Sequence, residues 1–599
     1  MQQTTAAEVR LDAGRAARFS ASVRSTGGFD ACRARGARFA VAQGARRDDP
    51  GLATIRNPGN VGEKLNRTFP IRLTLRAITL PLGQRASTRL ATRKVAVVAV
   101  LFLLLLCLMP PDGLLTGNEE DYFQLAERFA TGAATPPDSA VFDSSPHRAL
   151  NEVLLGSLVI AIGYERAQII ARLVLIAAFS ILLCALFDLF GLAPVDGAIV
   201  LAVFGLLRQQ IMGGEWVFNG YEAKVAAYAF VMAGLVMVVA RRRSWTIVPL
   251  FAIATYFHFL VGIFWFHAAL LWRVVDDRYA LRRAIIEAGW FWLAVFPLIA
   301  VIESKRWTID AAIPVPPGLP SPDYIFSILR EPWHAAPFFS RYSFATDWLP
   351  GCILAGGMFV GALTIAATAR EARVGATARW LAFLLVYLFA ALALCYFYRR
   401  TGTLGKFYPF RPSSLLLLIW LATVVAWLNE LVLRPRLLRL VAGALVIPAF
   451  LWTTASHLRQ DLKARVQIAS DKAIIQDFLR GETPPDAVVL VDPAIEAFLG
   501  MDYSFLDIER TTHRFALVLF KFTPTNDPEI LEWHRRMEFR RSTFERGCGT
   551  DPIYRRDYLL TMRDREGFLE RNCGPSVLKT GRFALLRTAG SAGSDATQH

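Results

Sequence analysis

The sequence has few cysteines and no spacing of cysteine and histidine that suggests a zinc site. Its 599 residues include 7 cysteines, and none of them forms a C-x-x-C pair. Four lie in apolar runs, where a thiol acts as a small hydrophobic side chain. These four are Cys107, Cys184, Cys352 and Cys395.

Internal repeats and a cleavable secretory signal peptide are also missing. Transporters are usually built from repeats and carry charges near the middle of the membrane. Here the charges cluster at the ends of the apolar runs. The sequence therefore disfavours a transporter, although a transporter or a non-enzymatic membrane scaffold stays an alternative.

The net charge of +16 comes mainly from one end of the chain. Residues 1–94 hold 18 Lys and Arg against 6 Asp and Glu, which accounts for +12 of the +16. This segment is rich in Ala, Arg, Gly and Ser without periodicity, which predicts a disordered, basic cytoplasmic tail. A nucleic-acid partner is not expected, because the basic residues are not interleaved with aromatic residues on a folded face.

Long apolar runs dominate the remaining sequence. Hydrophobic residues make up 54% of the chain and the mean hydropathy is +0.36, which is unusual for a soluble protein of this length. We predict an all-α, multi-pass membrane domain at 95–455 with about 11 transmembrane helices. The run at 246–275 should divide near His258, and the short run at 151–163 should form an interfacial or re-entrant helix.

Basic clusters orient the predicted helices. The positive-inside rule places the N-terminus in the cytoplasm and the external loops at 114–166 and 303–346. Residues 456–599 then form an extracytoplasmic domain, whose alternating helical and β-rich segments predict an α/β or α+β fold. This indicates an integral protein of a bacterial inner membrane. Cys548 and Cys573 would form a disulfide there or remain reduced thiols.

The first external loop contains three consecutive acids, Glu119, Glu120 and Asp121, just beyond the first apolar run. Thr116 with Glu119, or Asn118 with Asp121, fits a helix N-terminus with acids in its first turn. The same carboxylates could instead take a proton from an acceptor hydroxyl. Glu119 and Asp121 could also bind a divalent cation, although no cofactor is required by the sequence.

A second external loop combines carboxylates with aromatic rings. Glu215, Trp216, Tyr221 and Glu222 could hold a sugar by stacking and by hydrogen bonds to its hydroxyls. The alternative is an interfacial aromatic belt beside the start of a helix.

Basic residues occur on the external face, where the positive-inside rule does not expect them. Arg399, Arg400, Lys406 and Arg411 share one external loop and could bind a lipid phosphate or diphosphate. His258 lies at the external end of its divided run, where it could bind phosphate, transfer a proton or be a satisfied residue at a helix break.

Together these loops suit the transfer of a group from a membrane-embedded phosphate to an acceptor. The acidic motif after the first span, followed by Tyr122 and an amphipathic helix, resembles the GT-C superfamily of polytopic glycosyltransferases. The resemblance implies a lipid-phosphate-linked sugar donor, with Asp121 or Glu120 as the catalytic carboxylate and the 399–411 loop near the phosphate. A polysaccharide polymerase or ligase is the closest alternative.

Overall fold

The computed structural model describes most of the chain, and residues 88–599 form one compact unit. The predicted basic tail lies outside the described residues up to residue 83. The described ranges are 84–133, 135–142, 146–242, 244–277, 281–310, 318–432, 435–499, 505–549 and 553–589.

Helices account for most of the described structure, as the apolar runs predict. Between them lie short helical turns at Pro146–Arg148, Pro322–Tyr324, Ile325–Arg330, Pro332–Ala335, Arg341–Ser343, Phe344–Trp348 and Gly405–Phe407. The main helices of the membrane domain are α1 (Gln84–Leu108), α2 (Gly117–Thr131), α3 (Ala149–Ile162), α4 (Tyr164–Leu189), α5 (Pro194–Leu206), α6 (Ala223–Val239), α7 (Ser244–Phe257), α8 (Phe259–Asp277), α9 (Leu281–Asp310), α10 (Leu349–Thr368), α11 (Ala372–Phe397), α12 (Ser413–Leu431) and α13 (Pro435–Glu482).

The chain is an integral membrane protein. Six helices among the described residues are long and apolar enough to cross a bilayer: α4, α9, α10, α11, α12 and α13. Five shorter apolar helices of 10–17 residues accompany them. The count of about 11 spans stays a prediction, because the shorter helices fall below the usual spanning length.

The predicted division near His258 is present. Helix α7 ends at Phe257 and α8 begins at Phe259. The run at 151–163 forms α3, which packs closely on α2: a Cβ at Gly156 would lie 2.1 Å from the carbonyl oxygen of Ala126. Only glycine allows these two backbones to approach so closely.

Helix α13 continues far beyond its apolar part and leads into a small domain with a five-stranded mixed sheet. The strand order is β2-β1-β3-β5-β4, with β1 parallel to both β2 and β3 and the remaining pairs antiparallel. The elements are β1 (Val488–Val491), α14 (Pro493–Leu499), α15 (Ile508–Thr512), β2 (Phe515–Ala516), α16 (Asp527–Arg546), β3 (Tyr558–Met562), α17 (Glu566–Asn572), β4 (Ser576–Lys579) and β5 (Phe583–Arg587).

Both faces of this sheet are covered. Val489 and Val491 face a cluster that includes Ile475 and Leu479 of α13, while Val488 and Leu490 face one formed largely by α16. The alternation follows from the period of two in a strand. A Cys548–Cys573 disulfide ties the end of α16 to the end of α17, in agreement with the bonded alternative.

Candidate active site

Helix α2 begins with the predicted capping box. The Thr116 hydroxyl accepts from the Glu119 backbone N–H, and the Glu119 carboxylate accepts from the Thr116 N–H at 2.8 Å. The same carboxylate accepts from the Tyr221 N–H at 2.7 Å and pairs with the Arg172 Nη2 at 2.5 Å. Glu119 is fully buried, and these contacts occupy both of its oxygens.

Glu120 points to a different neighbour. Its carboxylate pairs with both Nη2 and Nε of Arg510, at 2.7 and 3.1 Å, and also accepts from the Gln124 side chain. Arg510 belongs to α15 of the C-terminal domain. Glu120 therefore joins the membrane domain to that domain.

Asp121 forms no hydrogen bond or ion pair with any residue that the structure describes, and its side chain is half-buried. Burial raises the pKa of Asp121 to about 6, although the cations of Arg148, Lys521 and Arg330 act in the opposite direction and Glu222 adds to the rise. A carboxylate with a raised pKa and free oxygens suits a general base.

Arg148 acts on Asp121 through its charge, and the sequence analysis did not identify it. Its Nε donates to Glu152 at 2.7 Å, and its guanidinium lies 4.6 Å from the centre of the Tyr122 ring. Burial lowers the pKa of His147 to about 3, so that this histidine is neutral. The only local signal for Arg148 is a basic residue directly before an apolar helix.

A second cluster links the predicted basic loop to the acidic–aromatic loop. Arg411 donates through Nε to Glu215 at 2.9 Å, and its Nη1 lies 2.8 Å from Nε2 of His258. Lys224 contacts Glu215 at 2.9 Å and Glu222 at 3.2 Å. Burial alone would raise the pKa of Glu215, but Arg411 and Lys224 hold it well below its usual range.

Glu222 connects this cluster to α2. Its Oε1 accepts from the Asn118 side chain at 2.5 Å, and its charge acts on both Asp121 and Tyr122. Direct contacts, in part through Lys224, connect Glu215, Glu222, His258 and Arg411, whereas Asp121 feels the charge of Glu222 without a direct contact.

The predicted aromatic residues line the same region. Lys224 lies 4.2 Å above the Trp216 ring, while the buried indole N–H of Trp216 has no partner among the described residues. The Tyr221 hydroxyl donates to Asn151 at 2.9 Å, and the Tyr221 ring packs edge-on against Phe123. The sequence analysis did not predict Lys224 as a site residue; its local signal is a charge in the first turn of an apolar helix.

Three of the predicted basic residues do not join this cluster. Arg399 and Arg400 are exposed, and Arg399 stacks on Tyr396 and donates to its carbonyl. Lys406 pairs with Asp323 at 2.7 Å and with Asp527. Of the four basic residues, Arg411 alone contacts Glu215 and His258.

An apolar groove of about 460 Å³ runs between α8 and α11 and reaches Arg411. Its walls include Ile263, Phe264, Leu271, Phe383 and Tyr387, and Phe407, Tyr408 and Arg411 line its polar end. An apolar lining with a guanidinium at one end could accommodate an apolar ligand with an anionic end.

The described residues contain no group of three or more His, Cys, Asp or Glu side chains that could hold a metal ion. Glu119 also fits a metal poorly, because its oxygens already accept from backbone N–H groups and Arg172. The divalent cation stays a prediction.

No family model matches the chain, and no curated protein matches it. Among solved structures, it is similar to ArnT from Cupriavidus metallidurans in the apo state, with 13% identity, a TM-score of 0.37 and coverage of 84% of this chain and 99% of the other. For ArnT bound to undecaprenyl phosphate, the values are 12%, 0.35, 84% and 98%.

Proposed function

We propose that the protein is a membrane glycosyltransferase. It transfers a sugar from a polyprenyl-phosphate or polyprenyl-diphosphate donor to an extracytoplasmic acceptor. The observation that carries the proposal is Asp121, a half-buried carboxylate with no partner among the described residues and a pKa raised to about 6. Its helix also carries Asn118, which donates to Glu222 of the Arg411 cluster, and the apolar groove ends at Arg411.

The groove supports a lipid-linked donor. A polyprenyl chain can lie between α8 and α11 in contact with Ile263 and Leu271, and its phosphate would then reach Arg411 and Tyr408. Arg411 is oriented by Glu215 and His258. A guanidinium held in a fixed orientation is a good partner for a phosphate leaving group.

The proposed reaction assigns one role to each of these residues. Asp121 takes the proton of the acceptor hydroxyl while the acceptor oxygen forms a bond to the anomeric carbon of the sugar. The bond between that carbon and the phosphate oxygen breaks, and its electron pair stays with the lipid phosphate. Arg411 stabilises the charge that develops on this phosphate. Trp216 and Glu222 are candidates to hold the sugar.

The proposal extends to orientation and compartment. The N-terminus is cytoplasmic. The start of α2, the loop that carries Arg411 and the C-terminal domain face the outside of a bacterial inner membrane. The disulfide between Cys548 and Cys573 supports this orientation, because such bonds persist outside the cytoplasm.

The test uses purified protein in proteoliposomes with a panel of radiolabelled polyprenyl-phosphate hexoses and an envelope fraction as acceptor. Asp121→Asn should lower transfer by about 10²- to 10⁴-fold, the usual contribution of a general base. Asp564→Asn, an exposed acid of the C-terminal domain, serves as the control. Full activity of Asp121→Asn would rule out this carboxylate as the base.

The groove is tested separately with a polyprenyl phosphate. Ile263→Trp should block its binding, because Ile263 lines the groove. Ile286→Trp, whose native side chain is 49% exposed on α9, should bind as the unmodified protein does. If Ile263→Trp also bound normally, the donor would have to lie elsewhere.

A further inference from the structure

The C-terminal domain forms several polar contacts with α2, the helix that carries Asp121. On one side of α2, Glu120 forms the bidentate pair with Arg510. One turn later, the Gln124 side chain donates to the carbonyl of Leu506 at 3.2 Å. After another turn, Arg128 pairs with Glu509 at 2.7 Å. The spacing of four residues places these three contacts on one face of the helix.

Apolar packing strengthens the same contact. Leu125 of α2 is 7% exposed and belongs to the hydrophobic cluster under the sheet of the C-terminal domain, together with Ile475, Leu506 and Ile508. Ala140 and Val141, from the segment that follows α2, lie in this cluster too. The burial of Leu125 makes α2 part of the core of the C-terminal domain.

The segment after α2 is held by hydrogen bonds. Glu509 accepts from the Ala140 N–H and the Ser139 hydroxyl, both at 2.7 Å. Arg536 of α16 donates to the carbonyls of Ser139 and Pro137, at 2.9 and 2.6 Å. Both ends of the contact between α2 and the C-terminal domain are thus fixed.

The same domain also contributes charge near Asp121. Lys521 follows β2, and its charge acts on Asp121. Arg330, from the external loop between α9 and α10, donates to the Thr523 hydroxyl at 2.6 Å and acts on Asp121 as well. Two of the three cations around Asp121 therefore depend on the C-terminal domain for their placement.

We infer that the C-terminal domain is a positioning element of the active site, in which Arg510 holds Glu120 and thereby fixes the position of the neighbouring Asp121. This inference rests on the proposed function. Asp121 has no partner among the described residues to fix its own side chain, so the orientation of α2 decides where its carboxylate points. Losing Arg510 leaves the Glu120 charge buried and unpaired, which favours rotation or fraying of the first turns of α2.

The experiment compares full-length Arg510→Gln with Arg541→Gln. Arg541 forms an exposed pair with Glu538 on α16 and serves as the matched control. Hydrogen exchange of the amides in 117–131 measures how firmly the C-terminal domain stabilises α2, independently of any substrate. Arg510→Gln should speed this exchange at least about tenfold and lower kcat about 10- to 100-fold, because a displacement near 1 Å can have such an effect. KM for the polyprenyl-phosphate hexose should change little.

A double-mutant cycle and a pH profile distinguish positioning from general loss of stability. Glu120→Gln should reproduce the effect of Arg510→Gln, and the double variant should be no worse than either. The acid limb of the rate profile should move below pH 6 in these variants, because a looser helix exposes Asp121 to water. Arg148 and Glu222, which also face Asp121, stay unchanged in this comparison.

Wild-type exchange, kcat and pH profile in Arg510→Gln would overturn the inference. The proposed function fails by a different result, namely full activity of Asp121→Asn. The exchange measurement still decides whether Arg510 holds α2 in that case.

Discussion

At the scale of single residues, three consecutive acids have three different surroundings. Successive residues of a helix point about 100° apart. Glu119 therefore faces the start of its own helix and Arg172, Glu120 faces Arg510 of the C-terminal domain, and Asp121 points away from both, within range of the charge of Arg148. The two paired acids hold the helix in place, and the third has no partner among the described residues.

The raised pKa of Asp121 gives a prediction for the pH dependence of transfer. A general base works when it is ionised, so kcat/KM should fall as the pH drops through about 6, the pKa of Asp121. At pH 5 the rate should be about one tenth of its plateau value, from the ionised fraction of such a group. The measurement is kcat/KM between pH 4.5 and 8.5. A limb near pH 4 would mean that Asp121 is fully solvated in the working enzyme.

At the scale of one element, the start of α2 is a buried network. The Arg172 side chain is 3% exposed and that of Glu119 is fully buried. Breaking a buried pair by removing one partner leaves an uncompensated charge, which is far more destabilising than the loss of an exposed pair.

Substitutions at this network should separate the cap from the ion pair. Thr116→Ala should lower the free energy of unfolding by about 1 kcal/mol through loss of the N-cap. Glu119→Ala should lower it by about 3 kcal/mol, because the buried Arg172 then loses its close partner and keeps only the 3.4 Å pair with Asp112. Thermal unfolding in detergent micelles provides the measurement.

Lys94→Gln is the control for both, since Lys94 and Asp188 form a pair with side chains 52% and 43% exposed. Its effect should stay within about 1 kcal/mol. If Glu119→Ala lowered the free energy of unfolding no more than Lys94→Gln does, the buried network would contribute little to stability.

At the scale of the whole molecule, the orientation of the helices in the bilayer decides which side of the membrane the candidate site faces. The α2 region, the loop carrying Arg411 and the C-terminal domain pack on one another, so they must share one side of the membrane. The short connection between α10 and α11 lies at the opposite ends of these helices from that loop.

Cysteine labelling tests the orientation. With the free cysteines replaced, Thr401→Cys should react with a membrane-impermeant maleimide in intact spheroplasts, whereas Glu371→Cys should react only after permeabilisation. Both native side chains are exposed, so access to water is matched. The reverse pattern would place the loop that carries Arg411 on the cytoplasmic side and exclude the proposed extracytoplasmic acceptor.

The sequence by itself determined the features that depend on neighbouring residues. Hydropathy and periodicity predicted the apolar helices and the break at His258. The spacing from Thr116 to Glu119 predicted the capping box. Each follows from backbone geometry or local polarity over a few residues, which is the range that a pattern can report.

Only the tertiary structure decided which charges meet. Arg510 lies 390 positions from Glu120, and no local pattern connects them. Among the basic residues of one loop, Arg411 contacts the buried Glu215, while Arg399 and Arg400 are exposed. The difference arises because long-range packing sets the direction of each side chain, and that packing left Asp121 without a partner among the described residues.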